Sequence, residues 1–214
     1  MPEPVHPLDE AGLRAAIDRI ADVDPDVARA RARVGYPASR VRAAGFPTLL
    51  RIMTSQQLST RSSAAIWGRL EMALGAAVTA ESLLALTEDE LRAIGLSRQK
   101  IAYGRGLAEA CAANTLDLDA LTTLPEEEAI AAISALKGFG RWSAEIYLLF
   151  ALGRADVFPL DDLGLQLGMR KLKRLAARPD RKALAALVEP WRPQRGAGAI
   201  FLWHVYGAAT LDDT

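Results

Sequence analysis

The stretch Leu136-Lys-Gly-Phe-Gly-Arg-Trp-Ser-Ala144 predicts two helices that are joined by a tight turn. Gly138 and Gly140 would let the backbone of this turn approach another molecule closely, and the second helix should begin at Arg141. The first amides of a helix lack intrahelical partners and carry a partial positive charge, so they can hold a phosphate group. The sequence therefore predicts a phosphate-binding hairpin at residues 136–144.

An acidic pair, Asp161-Asp162, follows the hairpin after one further helix and a turn that contains Pro159. Asp162 stands about twenty residues after Trp142. A phosphate-binding turn followed by an acid indicates chemistry on a nucleic acid, because a fixed carboxylate can stabilise positive charge or activate water where a bond is cleaved. Either aspartate can instead serve only as a helix N-cap.

Helical periodicity runs through most of the chain, and no stretch alternates convincingly as a strand does. Thr87-Glu-Asp-Glu90 has the pattern of a capping box, and Ser97 is placed to cap a helix that begins at Arg98. The fold class is therefore predicted to be all-α and compact. Helices are expected at residues 8–21, 25–35, 46–54, 62–74, 98–112, 141–152, 163–177, 181–188 and 198–208, with shorter ones around 91 and after 125.

Composition limits the possible cofactors and partners. The 214 residues include one cysteine, Cys111, which excludes an internal disulfide and a multi-cysteine metal or iron–sulfur site. The formal net charge is zero, but residues 170–182 carry seven Lys or Arg against one Asp. Such asymmetry can create a basic face on a neutral protein, or it can be an ordinary solvated helix surface. No secretory leader or membrane-spanning apolar run is evident, so we expect a cytoplasmic protein.

The hairpin with its downstream aspartate resembles the helix-hairpin-helix superfamily of DNA base-excision glycosylases, most of all the 3-methyladenine-DNA glycosylase II branch. Other matching segments are Phe46–Ser59, Leu91–Ile101 and Asp156–Gly164, so the likeness extends from about residue 40 to about residue 205. The resemblance implies a two-lobed helical bundle with a cleft between the lobes. One lobe would comprise about 46–155, and the other about 1–45 together with 156–214.

The resemblance implies that Asp162 is the catalytic residue and that Asp161 caps the following helix. Cleavage of an N-glycosidic bond develops positive charge on the sugar, which the carboxylate of Asp162 would stabilise. Superfamily members that also cut the DNA strand carry a lysine at the position of Trp142. An indole has no nucleophilic amine, so we expect base removal without strand cleavage.

Aromatic side chains are expected to line the base pocket. Trp142 and Trp203 are assigned to the pocket by resemblance, and Tyr147 is a candidate for its tyrosine, although the family's spacing would place that tyrosine at Ile146. An alkylated purine is cationic and should stack on an indole by cation–π attraction of ~1–2 kcal/mol. Each of these aromatic residues can instead fill the core, as we expect for Trp67.

The remaining implied contacts are with DNA and with one ion. Gln56, Gln57 and Leu58 match the loop that wedges into the duplex where the target base leaves, and Gln57 or Leu58 would be the wedge. Lys100, together with Gly138, Gly140 and Arg141 of the hairpin, would contact the DNA backbone. The backbone of Leu136 and Gly138 would hold a Na⁺ or K⁺ ion, and no other cofactor is expected.

These observations predict a monomeric glycosylase that flips out and hydrolyses alkylated purines, chiefly 3-methyladenine, from damaged duplex DNA. It would have no membrane partner. One alternative is a glycosylase for oxidised, deaminated or mismatched bases. Another is a non-catalytic DNA-binding module, which would gain nothing from an acid that faces DNA. A helical scaffold without a nucleic-acid partner would explain neither the glycine turn nor the Gln56-Gln57 loop.

Overall fold

The computed structural model describes residues 6–75 and 77–209, and these residues form helices and loops without a strand. The predicted all-α class is therefore confirmed. The helices, in chain order, are α1 Glu10–Val23, α2 Pro25–Val34, α3 Phe46–Ser55, α4 Thr60–Leu74, α5 Ala80–Ala85, α6 Glu88–Ile94, α7 Arg98–Ala112, α8 Glu126–Ser134, α9 Arg141–Phe150, α10 Leu163–Leu172, α11 Arg181–Val188 and α12 Arg195–Gly207.

Side-chain caps explain why most of these helices begin where they do. An N-cap oxygen accepts a hydrogen bond from an amide that has no partner inside the helix, which stabilises the helix by about 1 kcal/mol. Thr87 and Ser97 cap α6 and α7 as the sequence predicts, and Thr87 forms a complete capping box with Glu90. The other capping residues are Asp9, Asp24, Ser59, Thr79, Asp162 and Asp180.

The chain divides into two compact units, and the first comprises Met1–Val41 with Leu148–Thr214. In this unit α10 packs against α12, and α1 packs against α2 and α12. Gly168 permits the close approach of α10 to α12, since a methyl group there would lie 2.5 Å from the carbonyl oxygen of Leu202. Its core is formed by fully buried apolar residues that include Leu13, Ile17, Ile20, Leu165, Met169, Trp191 and Phe201.

The second unit comprises Arg42–Tyr147, whereas the sequence places this lobe at about 46–155. Here α7 packs against α3 and α5. A methyl group at Gly104 of α7 would lie 3.2 Å from Met53 Cε of α3, so this glycine lets the two helices pack closely. Both helices also bury leucines in this core. Trp67 of α4 is 5% exposed, in agreement with its predicted core position.

The largest difference from the predicted helices is at the end of α10, which stops at Leu172 and does not continue to residue 177. Arg174 has a φ of +53°, and the amide of Leu175 bonds to the carbonyl of Arg170. This is the hydrogen-bond pattern of a Schellman motif, which usually has glycine at the left-handed position. The short helix α5 was also not predicted. Within the described residues, no helix is long and apolar enough to cross a membrane.

Candidate active site and hairpin

Asp162 lies at the start of α10 and is its N-cap. Its Oδ1 accepts a hydrogen bond of 2.8 Å from the amide of Leu165 and one of 3.0 Å from the indole Nε1 of Trp203. Two donors on one oxygen fix the orientation of the carboxylate relative to the helix and to the indole. The first unit therefore brings together two of the predicted site residues, the acid and one aromatic ring.

Asp161 has a different role from the helix-capping one that the sequence predicts. Its carboxylate forms an ion pair with Arg181, and both side chains are more than half exposed. The expectation that Asp161 caps α10 is therefore wrong, because its neighbour Asp162 is the cap. Both acids precede the helix, and the local sequence alone does not show which of them takes the capping conformation.

Trp203 is half-buried on α12 and lies close to Phe150, Arg40 and Gly164 as well as to Asp162. The ring of Phe150 lies 5.9 Å away between centroids, and the guanidinium carbon of Arg40 lies 5.5 Å from the indole centroid. A methyl group at Gly164 would lie 3.0 Å from Asp162 Oδ1 and 3.1 Å from Trp203 Cδ1. Gly164 therefore leaves the space that the acid and the indole need to meet.

The predicted hairpin is present, with α8 and α9 joined by residues 135–140. Phe139 is 4% exposed and anchors the turn. Gly138 has a φ of +94°, and a methyl group there would lie 2.2 Å from the ring of Tyr103. Gly140 is exposed, and no heavy atom outside its immediate chain neighbours lies within 4 Å of a methyl group built on it. The two glycines thus differ, since Gly138 is required by the turn itself and Gly140 leaves an open surface.

Gln56 joins the predicted wedge loop to the hairpin. Its Nε2 donates to the carbonyl of Gly138 at 3.0 Å and to the hydroxyl of Ser143 at 2.9 Å. These bonds give Gln56 a positioning role in the loop, and its predicted contact with DNA stays a prediction. Its two exposed neighbours, Gln57 and Leu58, remain available as the wedge. Gln57 has a φ of +57°, a strained conformation for a residue other than glycine.

Lys100 supports the same loop from α7. Its Nζ donates to the carbonyls of Thr54 at 2.6 Å and Gln56 at 2.9 Å, which lie at the C-terminal end of α3. A cation satisfies these carbonyls and interacts favourably with the helix C terminus. Burial lowers the pKa of this ammonium group. Lys100 therefore caps α3 internally, and because its ammonium group has three N–H donors, its predicted phosphate contact stays a prediction.

Arg141, the first residue of α9, is engaged within the protein. Its guanidinium forms two hydrogen bonds with Glu127 of α8, at 2.8 and 2.6 Å, and one of 2.9 Å with Glu145. Hydrogen bonds with Glu127, followed by those with Glu145, raise the pKa of Arg141 despite some burial. The ion pair with Glu127 joins α8 to α9. The predicted contact of Arg141 with the DNA backbone, through the amides at the start of α9, stays a prediction.

The two other aromatic candidates have different surroundings. Tyr147 is fully buried, and its hydroxyl accepts a hydrogen bond of 2.8 Å from the amide of Gly45 at the start of α3. Burial also raises the pKa of this phenol. Tyr147 is therefore a core residue, and its predicted place in a base pocket is wrong. Trp142 is half-buried at the second position of α9, where its pocket role stays a prediction.

The carbonyls that would hold a monovalent cation already accept hydrogen bonds. The carbonyl of Leu136 accepts from the amide of Phe139, and that of Gly138 accepts from Gln56, both at 3.0 Å. A carbonyl oxygen has a second lone pair, so coordination of Na⁺ or K⁺ is compatible with these bonds and stays a prediction. Among the described residues, no group of three or more His, Cys, Asp or Glu could hold a metal ion.

The basic run at the end of α10 is partly used inside the first unit. Lys173 donates to Asp24 at 2.6 Å and pairs with Asp26 at 3.0 Å. Asp24 is 5% exposed and also accepts from the indole of Trp191 at 2.9 Å, so this carboxylate is well partnered. Arg170 and Arg174 are exposed and contribute the solvated part of the run.

Sequence reasoning missed three residues that shape these sites, namely Arg40, Ser143 and Gly164. Arg40 lies in a segment without a motif, and only the tertiary structure brings it to Trp203. Ser143 was quoted within the hairpin, but its hydroxyl has a partner 87 residues away in sequence. Gly164 had a readable signal, because Gly164 and Gly168 are four residues apart inside a helix and mark one closely packed face.

Comparison with known proteins gives consistent matches across the chain. A family model described as HhH-GPD superfamily base excision DNA repair protein matches residues 50–193. DNA-3-methyladenine glycosylase 1 of Schizosaccharomyces pombe is 34% identical over 161 residues, which cover 74% of this chain and 71% of that protein.

Solved structures agree with these sequence matches. The structure of the S. pombe 3-methyladenine DNA glycosylase Mag1 in complex with abasic DNA has a TM-score of 0.83 at 30% identity, covering 92% of this chain and 98% of that one. A DNA-3-methyladenine glycosidase from Bacillus halodurans has a TM-score of 0.76 at 30% identity, covering 90% and 89%.

Proposed function

Since this chain belongs to the HhH-GPD superfamily of base excision DNA repair proteins, we propose that it is a DNA glycosylase that removes alkylated purines. The chief substrate would be 3-methyladenine, with 7-methylguanine and related bases as further candidates. The named relatives are 3-methyladenine glycosylases, and one of them was solved with abasic DNA, the kind of product that base removal leaves. Duplex DNA with damaged bases is the proposed partner, and the protein is proposed to act as a monomer.

The observation that carries the proposal is the carboxylate of Asp162, held by Leu165 and by the indole of Trp203. Departure of the base leaves a sugar with oxocarbenium character, and a carboxylate in a fixed position stabilises that charge without reorganising first. The same carboxylate can orient or deprotonate the attacking water. An alkylated purine already carries positive charge and leaves readily, so a separate general acid is not required.

Trp203 would hold the extruded base. Its half-buried indole lies beside the acid, and an indole face attracts a cationic base by ~1–2 kcal/mol when the pair is desolvated. The exposed Gln57 or Leu58 would fill the space that the base leaves in the duplex. Leu58 is apolar and 37% exposed, which suits a side chain that replaces a stacked base.

We further propose that the reaction stops at the abasic site. A lyase needs an amine that attacks the sugar, and Trp142 stands where related lyases carry it. The ammonium of Lys100 is committed to two backbone carbonyls. Lys137 is exposed at the turn of the hairpin and is the amine to examine if strand cleavage is found.

Identification by mass of the bases that the protein releases from methylated duplex DNA tests the proposal. We expect 3-methyladenine first, and an abasic strand that breaks only after alkali or heat. Duplexes that carry an oxidised, deaminated or mismatched base are assayed in parallel, and release from these alone would select the other-lesion alternative. Binding without any release would select the non-catalytic module. Borohydride should trap no protein–DNA adduct, and a trapped adduct would overturn hydrolysis without strand cleavage.

A further inference from the structure

Arg40 occupies a position beside the proposed catalytic acid that no motif predicts. It lies in the non-helical segment between α2 and α3, and its guanidinium carbon is 5.5 Å from the centroid of the Trp203 ring. The indole of this tryptophan donates to Asp162. Burial lowers the pKa of Arg40, and the charge of Asp162 raises it, so the guanidinium is partly desolvated and within electrostatic reach of the carboxylate.

A guanidinium shares two properties with an alkylated purine, since both are planar and both carry a delocalised positive charge. The proposed function assigns Trp203 to the cationic base and Asp162 to the positive charge that develops on the sugar. Both of these groups already interact with a cation that belongs to the protein itself. A base cannot stack on the same part of the indole while the guanidinium lies there.

We propose that Arg40 is a resident cation of the base site, which the extruded base displaces from the face of Trp203. This inference rests on the proposed function. Arg40 can move because it stands in a segment without regular hydrogen bonding and more than a third of the residue is exposed. Its displacement costs the same free energy whichever base enters, so Arg40 lowers the occupancy of the site by every base. An undamaged base gains the least binding free energy from the indole, so it occupies the site the least.

The test measures binding of nucleosides in the absence of DNA. The probes are 7-methylguanosine, which is cationic in mildly acidic buffer, and guanosine, which is its neutral counterpart. The indole N–H signal of Trp203, assigned with Trp203→Phe, is followed by NMR during each titration. Arg40→Met keeps an unbranched, flexible side chain and removes the guanidinium with its charge. We expect it to tighten the binding of both nucleosides by the same factor, roughly three- to tenfold.

Two further variants separate competition from a change in structure. Arg14 also places its guanidinium over an aromatic ring, at 5.2 Å from the centroid of Tyr36. Arg14→Met should therefore leave nucleoside binding unchanged. Arg40→Lys keeps the charge without the flat surface and should give intermediate affinity. Thermal unfolding of each variant shows whether the fold is retained.

Each other outcome overturns the proposal. Weaker binding by Arg40→Met would mean that Arg40 assists the base. Unchanged binding would mean that it does not compete, and tightening of 7-methylguanosine alone would mean that the cation stays beside the bound base. If neither nucleoside shifts the Trp203 signal in either protein, the indole is not the stacking surface and the proposal fails. Base release from methylated DNA would still report separately on the proposed function.

Discussion

The carboxylate of Asp162 accepts a 3.0 Å hydrogen bond from the indole of Trp203 on α12 while it caps α10. One oxygen atom, Oδ1, takes both the indole bond and the capping bond from Leu165. The proposed catalytic acid is thus also a structural residue. Substitutions that remove it must be chosen so that loss of chemistry can be separated from loss of the cap.

Asp162→Asn makes that separation. Asparagine is as good an N-cap as aspartate, and its amide oxygen can still accept from Leu165 and Trp203, so we expect little change in the free energy of unfolding. Base release should fall by orders of magnitude, because the negative charge is lost. Single-turnover release of 3-methyladenine and thermal unfolding, measured on the same preparation, check both expectations.

The matched control is the neighbouring acid. Asp161 pairs with Arg181 at an exposed position, so Asp161→Asn should cost less than about 1 kcal/mol and leave base release within a few-fold of wild type. If Asp162→Asn retains comparable activity, Asp162 is only a helix cap. If Asp161→Asn is the inactive variant, the catalytic role belongs to the other carboxylate.

Gly164→Ala tests whether the contact between Asp162 and Trp203 matters for the reaction. The added methyl group would lie 3.0 Å from Oδ1 and 3.1 Å from the indole, so one of the two side chains must move. We expect base release to fall by about tenfold or more, since small misplacements of reacting groups are costly. Binding to undamaged duplex should not change.

Gly68→Ala is the appropriate comparison for that variant. Gly68 lies inside α4, and a methyl group there meets nothing within 4 Å. Replacing a helical glycine with alanine should stabilise the protein by about 0.5–1 kcal/mol without an effect on base release. Equal activity of Gly164→Ala and wild type would show that the acid and the indole do not need their present geometry.

Gln56→Ala should release the wedge loop from the hairpin. The substitution removes the hydrogen bonds to Gly138 and Ser143, each worth about 1 kcal/mol. Amide hydrogen exchange at residues 56–58 should become faster, and excision should fall while affinity for undamaged DNA is retained. Ser143→Ala removes one of the two bonds and should have an intermediate effect. Unchanged exchange in Gln56→Ala would mean that Lys100 alone holds the loop.

The sequence predicted the all-α fold, the family and the order of the hairpin and the acid, because these depend on local patterns. Helix α11 was placed to the residue, and so was α7, which has a serine cap at its start. The roles that failed are the α10 cap at Asp161 and the base-pocket position of Tyr147. Asp161 and Asp162 are adjacent, so the sequence does not show which of them caps the helix, and a helical pattern does not show that a tyrosine hydroxyl is buried against a backbone amide.

Substitutions at the two hairpin glycines can distinguish an effect on stability from an effect on phosphate binding. Gly140 has open space around it, so Gly140→Ala should fold normally and obstruct only a molecule that approaches the turn from outside. We expect affinity for duplex DNA to fall by about tenfold, equally for plain and damaged DNA, because backbone contacts position the protein and do not select the lesion. Binding isotherms on both duplexes at several salt concentrations check this.

Gly138→Ala must behave differently for the hairpin argument to hold. Its φ of +94° and the contact with the Tyr103 ring make any side chain there unfavourable, so this variant should lose roughly 1–3 kcal/mol of stability. Weak DNA binding by Gly138→Ala would therefore say nothing about phosphates, whereas weak binding by a stable Gly140→Ala would. If stable Gly140→Ala binds both duplexes as wild type does, DNA does not approach the turn at this residue, and the phosphate-binding role of the hairpin is wrong.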